Sequence, residues 1–354
     1  MAVVTGWHRC SRLLLLGSGA GRRGLSLQSC LLNKPPSILF STSTRSRGLF
    51  SAIAAKARYV NEKYQRFLER KFPKFYLLYS TFMKGFRLLM SEAKEVGRIK
   101  VKMAQENLQF YELPYREMEK VRQFRRDVIK AAPVILLSIP PFANYLVFVL
   151  MYYFPRQMLI RHFWNPNQHT EFLKLYHRMR VEAYPEIMNG LLQAVPSAGE
   201  KTVQERLQQL VIQIQQGSHP ETAHLQAVAP AFTVSPLSMS HLKTQQMKAL
   251  SRVMFLTPRY PSFILRRRLL SHIYELHQLD LALLKLGVKE LSDEELRTAC
   301  YVRGLNSVEI SSSECRTWLT QWLKLSDNLK ESEASLLLHC VVLLSANYLH
   351  ATKR

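Results

Sequence analysis

From Ala131 to Pro155 the chain carries no charged side chain for twenty-five residues, and few folds accommodate such a run. An α-helix needs roughly 20 apolar residues to cross the ~30 Å hydrocarbon core of a bilayer, so the run is long enough. Val134, Ile135, Leu136, Leu137, Leu146, Val147, Phe148, Val149 and Leu150 are side chains that lipid tolerates well. Tyr145, Tyr152 and Tyr153 lie toward the far end, where amphipathic rings favour the headgroup zone, and Lys130 and Arg156 close the two sides. A core helix of this length usually shows charge on some face. The run therefore predicts a single transmembrane helix over 131–155. Pro140 and Pro141 fall inside it, and proline removes an amide donor and clashes with the preceding turn, so a kink is expected there. No ionisable side chain occupies the run, so nothing in this helix alone supports ion transport.

The amino terminus is as distinctive. No acidic residue precedes Glu62, whereas nine of the 49 basic residues lie before it among many serines and threonines. Arg-rich, Ser-rich and acid-free is the composition of a mitochondrial transit peptide. Leu13 to Leu16 is too short for a secretory core, and Arg23-Gly24-Leu25 and Arg47-Gly48-Leu49-Phe50 mark two processing regions. Residues 1–50 are read as the transit peptide. Residues 1–61 carry nine units of the formal charge of +23, and the remaining excess concentrates at 62–130, with seventeen basic against nine acidic residues. Such a stretch could meet anionic lipid or an RNA-rich particle. Cys10 and Cys30 fall in the transit peptide, and Cys300, Cys315 and Cys340 lack metal-ligand spacing and read as reduced, mostly core thiols with no disulfide frame.

Residues 51–130 form a basic, amphipathic helical segment. Phe72, Phe75, Tyr76, Leu78, Tyr79, Phe82, Phe86 and Leu89 recur at three and four, and such a helix either lies in a membrane interface or packs on another helix. Residues 156–354 suffice for one domain with a substantial core. Helical periods run near 168–194, 200–216, 237–256, 262–286, 292–303, 312–325 and 329–349, with Gly/Pro clusters between them. Ser292 with Glu295 and Ser311 with Glu314 have capping-box spacing, and Gly304 can end the helix between them. Trp318 and Trp322, at i and i+4, complete this helix pair. Leu336 to Leu349 is very apolar but short and contains His339, so a buried core helix is expected.

These blocks carry a resemblance. PPFANYLVFVLMYYFPRQMLIRHFW (140–164), LSDEELRTACYVRGLNS (291–307) and WLTQWLKLS (318–326) are similar to the LETM family of mitochondrial inner-membrane proteins. FMKGFRLLMSEAK (82–94) and ELPYREMEKVRQFRRDV (112–128) resemble the segment before that family's span. The resemblance covers about residues 65–326 and is strongest to the short LETM-domain type. It implies an all-α, 14-3-3-like ribosome-binding domain after a single span. No D-x-D-x-D loop and no heptads after 326 occur, so the calcium-binding and coiled-coil parts of the long member are not expected.

No enzyme motif stands out and no cofactor or metal is expected; His272, His277 and Asp280 share a helix but not a face. Arg266, Arg267, Arg268 and Arg303 are the candidate contacts to ribosome or anionic lipid. Leu296, Cys300 and Leu305 read as core. The favoured function is a membrane-anchored adaptor that binds the mitochondrial ribosome or assembly factors among other inner-membrane proteins, supporting respiratory-chain biogenesis; no DNA partner is expected. Alternatives are a component of potassium–proton homeostasis and a scaffold of a mitochondrial membrane, the outer one included. For topology, Arg116, Lys120, Arg122, Arg125, Arg126 and Lys130 precede the run, while Arg156 and Arg161 follow it. Charge counting keeps the amino side in the matrix. The resemblance instead puts the carboxyl domain there and the residues before the span in the intermembrane space, and that orientation is the one expected.

Overall fold

Leu265, Leu269, Ile273, Leu276, Leu279 and Leu283 recur at three and four along one segment and are all buried, which makes it the axis of the fold. The structure is a computed structural model that describes residues 70, 73–138, 164 and 166–348. Its helices are α1 (Pro73–Gln105), α2 (Tyr115–Ser138), α3 (Pro166–Val181), α4 (Tyr184–Ala194), α5 (Lys201–Gln215), α6 (Thr222–Ala227), α7 (Thr244–Val253), α8 (Ser262–Leu286), α9 (Asp293–Val302), α10 (Ser312–Asp327) and α11 (Ala334–Leu343). Short 3₁₀ turns join several of them, and no strand occurs among the described residues. Helix α8 touches α2, α7, α10 and α11. The expected transit peptide and the expected kink at Pro140 and Pro141 lie outside the described residues, as does most of the predicted span. Among the described residues no helix is long and apolar enough to cross a membrane.

Several local readings hold. Both capping boxes are present: the Ser292 N–H donates to Glu295 at 2.9 Å and the Ser311 N–H to Glu314 at 2.9 Å. Each satisfies amide donors that a helix start leaves open. Gly304 ends the α9 turn with φ +113°, and a Cβ there would run into the Val341 carbonyl oxygen, so glycine also permits α11 to approach. All ten residues of α11 are buried. Its one imidazole is satisfied: His339 Nδ1 donates to the Ser335 carbonyl at 2.7 Å, and Gln246 donates to Nε2 at 3.0 Å. The apolar carboxyl-terminal helix is a core helix.

Other boundaries move for identifiable reasons. The helix expected at 168–194 is two, because Pro185 has no N–H to bond the Val181 carbonyl. The helix expected from 237 starts at Thr244; the preceding residues form turns after Pro236. The basic arm packs on another helix: Leu89 and Val96 of α1 are buried, and Lys102–Glu117 (3.7 Å) and Glu95–Lys120 (2.7 Å) align α1 and α2 antiparallel.

The topology needs a correction. Helix α2 continues without a break from Tyr115 to Ser138, eight residues into the predicted span. Upstream of that point Leu113, Tyr115 and Met118 belong to the same hydrophobic core as α4–α11. Arg116 donates to Glu295 at 2.8 Å, and Arg125 pairs with Glu275. One crossing would place these partners on opposite faces of a bilayer and dismantle that core. Among the described residues, both flanks of the apolar run share that one core.

Candidate functional site

Where α2, α3 and α8 converge, they leave an open cleft of about 620 Å³. Lys130, immediately before the apolar run, and Trp164, nine residues after it, both line the cleft. Seven basic side chains face three carboxylates there.

Helix α2 supplies the inner wall. Arg122 is 3 % exposed and chelates Glu119 through Nε (2.9 Å) and Nη2 (2.7 Å). Its third nitrogen, Nη1, is buried with no hydrogen-bond partner among the described residues. One turn on, Arg126 lies 2.9 Å from His272 Nδ1. Burial, then Arg126 and Arg122, hold the His272 pKa well below the usual imidazole range. A neutral ring accepts from Arg126 and leaves the guanidinium charge uncompensated by that contact.

Helix α3 contributes an aromatic wall. Trp164 packs edge-on to Phe172 (5.0 Å) and stacks on Tyr176 (6.3 Å), while the Lys130 ammonium sits 5.8 Å from the Tyr176 ring centre. Arg180 is buried over two rings, 4.5 Å from Phe255 and 4.7 Å from Tyr301, and donates to the carbonyls of Val253 (3.0 Å) and Tyr301 (2.8 Å). Buried cation–π contacts of this kind reach ~2 kcal/mol. They hold a strained residue in place: Phe255 has φ +54°, in the position after α7 where glycine or asparagine is usual.

The predicted contacts separate. Arg267 is exposed and lines the cleft; Arg268 lines it half-buried, 5.0 Å from the Tyr260 ring centre. Arg266 is half-buried and outside the cleft lining. Arg303 corrects the sequence reading. It is 1 % exposed, donates through Nε to Asp280 at 2.7 Å and through Nη1 to the Ala299 carbonyl at 2.8 Å. Asp280 also accepts from Trp322 (2.9 Å) and Ser326 (2.7 Å), so this pair is a polar centre of the core, away from the surface. Sequence reasoning missed Arg122, Arg126, Arg180 and their aromatic partners. The basic cluster at 116–130 was a visible signal, but it reads equally as a membrane flank. No group able to hold a metal ion occurs among the described residues.

Residues 113–343 match the family model described as "LETM1-like, RBD". The chain is 63 % identical to "LETM1 domain-containing protein 1" of Xenopus tropicalis, covering 94 % of this chain and 95 % of that one. It is 47 % identical to the protein so named in Homo sapiens, covering 98 % and 95 %, and 51 % identical to that of Bos taurus, covering 85 % and 84 %. The chain belongs to the LETM1-like RBD family.

Proposed function

We propose that this chain is an adaptor held at the mitochondrial inner membrane, whose helical domain docks the mitochondrial ribosome or assembly factors in the matrix. In that role it supports respiratory-chain biogenesis and mitochondrial organisation. The observation that carries the reading is the family match across 113–343, because the resemblance implies a 14-3-3-like domain that binds mitochondrial ribosomes. Residues 1–50 act as the transit peptide, and 131–155 fix the domain to the bilayer. Ribosomal RNA presents a dense phosphate surface, and exposed cations such as Arg267 suit it. Potassium–proton exchange finds no ionisable side chain in the apolar run to carry it.

The test is co-sedimentation. Mitochondria expressing the tagged full chain are lysed in mild detergent and resolved on sucrose gradients at roughly 50 and 200 mM salt. Migration with a ribosomal subunit at the lower salt, weakening at the higher, is expected of phosphate contacts. A chain that stays at the top of both gradients overturns the ribosome reading.

A further inference from the structure

We propose that the cleft between α2, α3 and α8 binds the headgroup phosphate of an anionic phospholipid, whose acyl chains lie in the bilayer beside the apolar run. The inference rests on the membrane attachment proposed above but not on ribosome binding.

Three independent features converge on this ligand. The cleft is built for an anion. Arg122 lines it nearly fully buried, with Nη1 lacking any hydrogen-bond partner among the described residues. Arg267, at the opposite wall, makes no hydrogen bond or ion pair among the described residues. Guanidinium groups at two walls match the several acceptor oxygens of one phosphate. Its volume, about 620 Å³, is that of a small-molecule site.

Location selects a lipid. Lys130, immediately before the apolar run in sequence, and Trp164, nine residues after it, both line the cleft. A bilayer that takes up the apolar stretch 131–155 sets its headgroup layer at that level, and Trp164 and Tyr176 are side chains suited to it.

The rim is apolar as well as cationic. Ile129 is 66 % exposed at the cleft edge, and Phe263 is 68 % exposed one helical turn before Arg267 on the same face of α8. Exposed large apolar side chains beside arginines are costly in water and favourable at a membrane interface. RNA phosphates would satisfy the arginines and leave Ile129 and Phe263 without a purpose. A phospholipid uses both.

The experiment uses the purified full chain in neutral detergent micelles, titrated with short-chain phosphatidylglycerol, short-chain phosphatidylcholine, inorganic phosphate or a single-stranded RNA oligomer, with thermal unfolding as the readout. Phosphatidylglycerol should raise the melting temperature saturably, and the other three should not at equal concentration. The Arg267→Gln/Arg268→Gln variant changes exposed and half-exposed groups and should fold normally. Its apparent affinity for phosphatidylglycerol should fall about ten- to a hundredfold, as expected for lost hydrogen bonds to a charged group. An equal shift from phosphatidylcholine would show a purely apolar site, and one from inorganic phosphate an ion site without lipid. A stronger shift from RNA would mark a nucleic-acid surface. Each of these, or an unchanged affinity in the variant, overturns the proposal. The adaptor reading is decided separately, by co-sedimentation of the full chain with the ribosome.

Discussion

The Lys130 ammonium lies 5.8 Å from the ring centre of Tyr176, although the whole apolar run separates the two residues in sequence. A straight helix of 25 residues rises about 37 Å, so a single crossing would carry Tyr176 a full bilayer away from Lys130. Their contact requires the residues flanking the run to share one body.

That requirement yields the first prediction. Glu106 in the turn after α1 and Lys324 on α10 are both exposed, one before the run and one after it. Single cysteines at Glu106→Cys and Lys324→Cys should behave alike toward a membrane-impermeant maleimide in mitoplasts: both protected, or both labelled. Native Cys300, Cys315 and Cys340 are buried and give little background. Opposite labelling of the two sites would restore a single crossing and remove the cleft.

The Arg303–Asp280 pair predicts a large stability effect. Asp280→Asn keeps the shape of the side chain but leaves a guanidinium that is 1 % exposed without its counter-charge. Breaking one partner of a buried ion pair costs about 3–5 kcal/mol. Denaturant unfolding of the variant should show a loss of that size, whereas a loss below about 1 kcal/mol would mean that water reaches Arg303.

Gly304 predicts a steric one. Alanine there must take φ +113° and place its Cβ against the Val341 carbonyl oxygen. Strain of this kind costs about 1–3 kcal/mol, and more where neighbours cannot shift. The melting temperature of Gly304→Ala should drop clearly, while Gly97→Ala, with nothing within 4 Å of the added Cβ, should not destabilise. Equal effects at the two sites would mean that α11 does not pack as described.

What was legible in the sequence was local. Capping boxes act over three residues, so Ser292–Glu295 and Ser311–Glu314 declare α9 and α10 outright. Apolar periodicity likewise exposes α8 and the buried α11. The cleft depends on partners far apart in the chain: Arg126 meets His272 and Arg180 meets Tyr301 only because the helices are packed. An arginine before an apolar run has the same appearance whether it marks a membrane flank or builds a pocket. Arg303 was misread for a related reason, since its counter-ion lies 23 residues upstream on another helix. Charge in a sequence says nothing of burial.

The last prediction concerns acid. Burial lowers the His339 pKa to about 4, and burial with the nearby Arg180 charge lowers His177 to about 4. Both are neutral in the fold but take up a proton near the ordinary value of 6.5 when unfolded. Between pH 6.5 and 4 the unfolded chain therefore binds more protons, and stability falls as pH falls through that window. Each such histidine contributes a slope of up to about 1.4 kcal/mol per pH unit. Denaturant midpoints measured from pH 7.5 to 5.0 should be flat above 7 and decline below 6.5, before carboxylates begin to protonate. His339→Gln removes one titrating group, so its decline should be shallower by that amount even if its stability at pH 7.5 is lower. An unchanged slope in the variant would mean that His339 is already protonated in the fold, contrary to the hydrogen bond it accepts from Gln246.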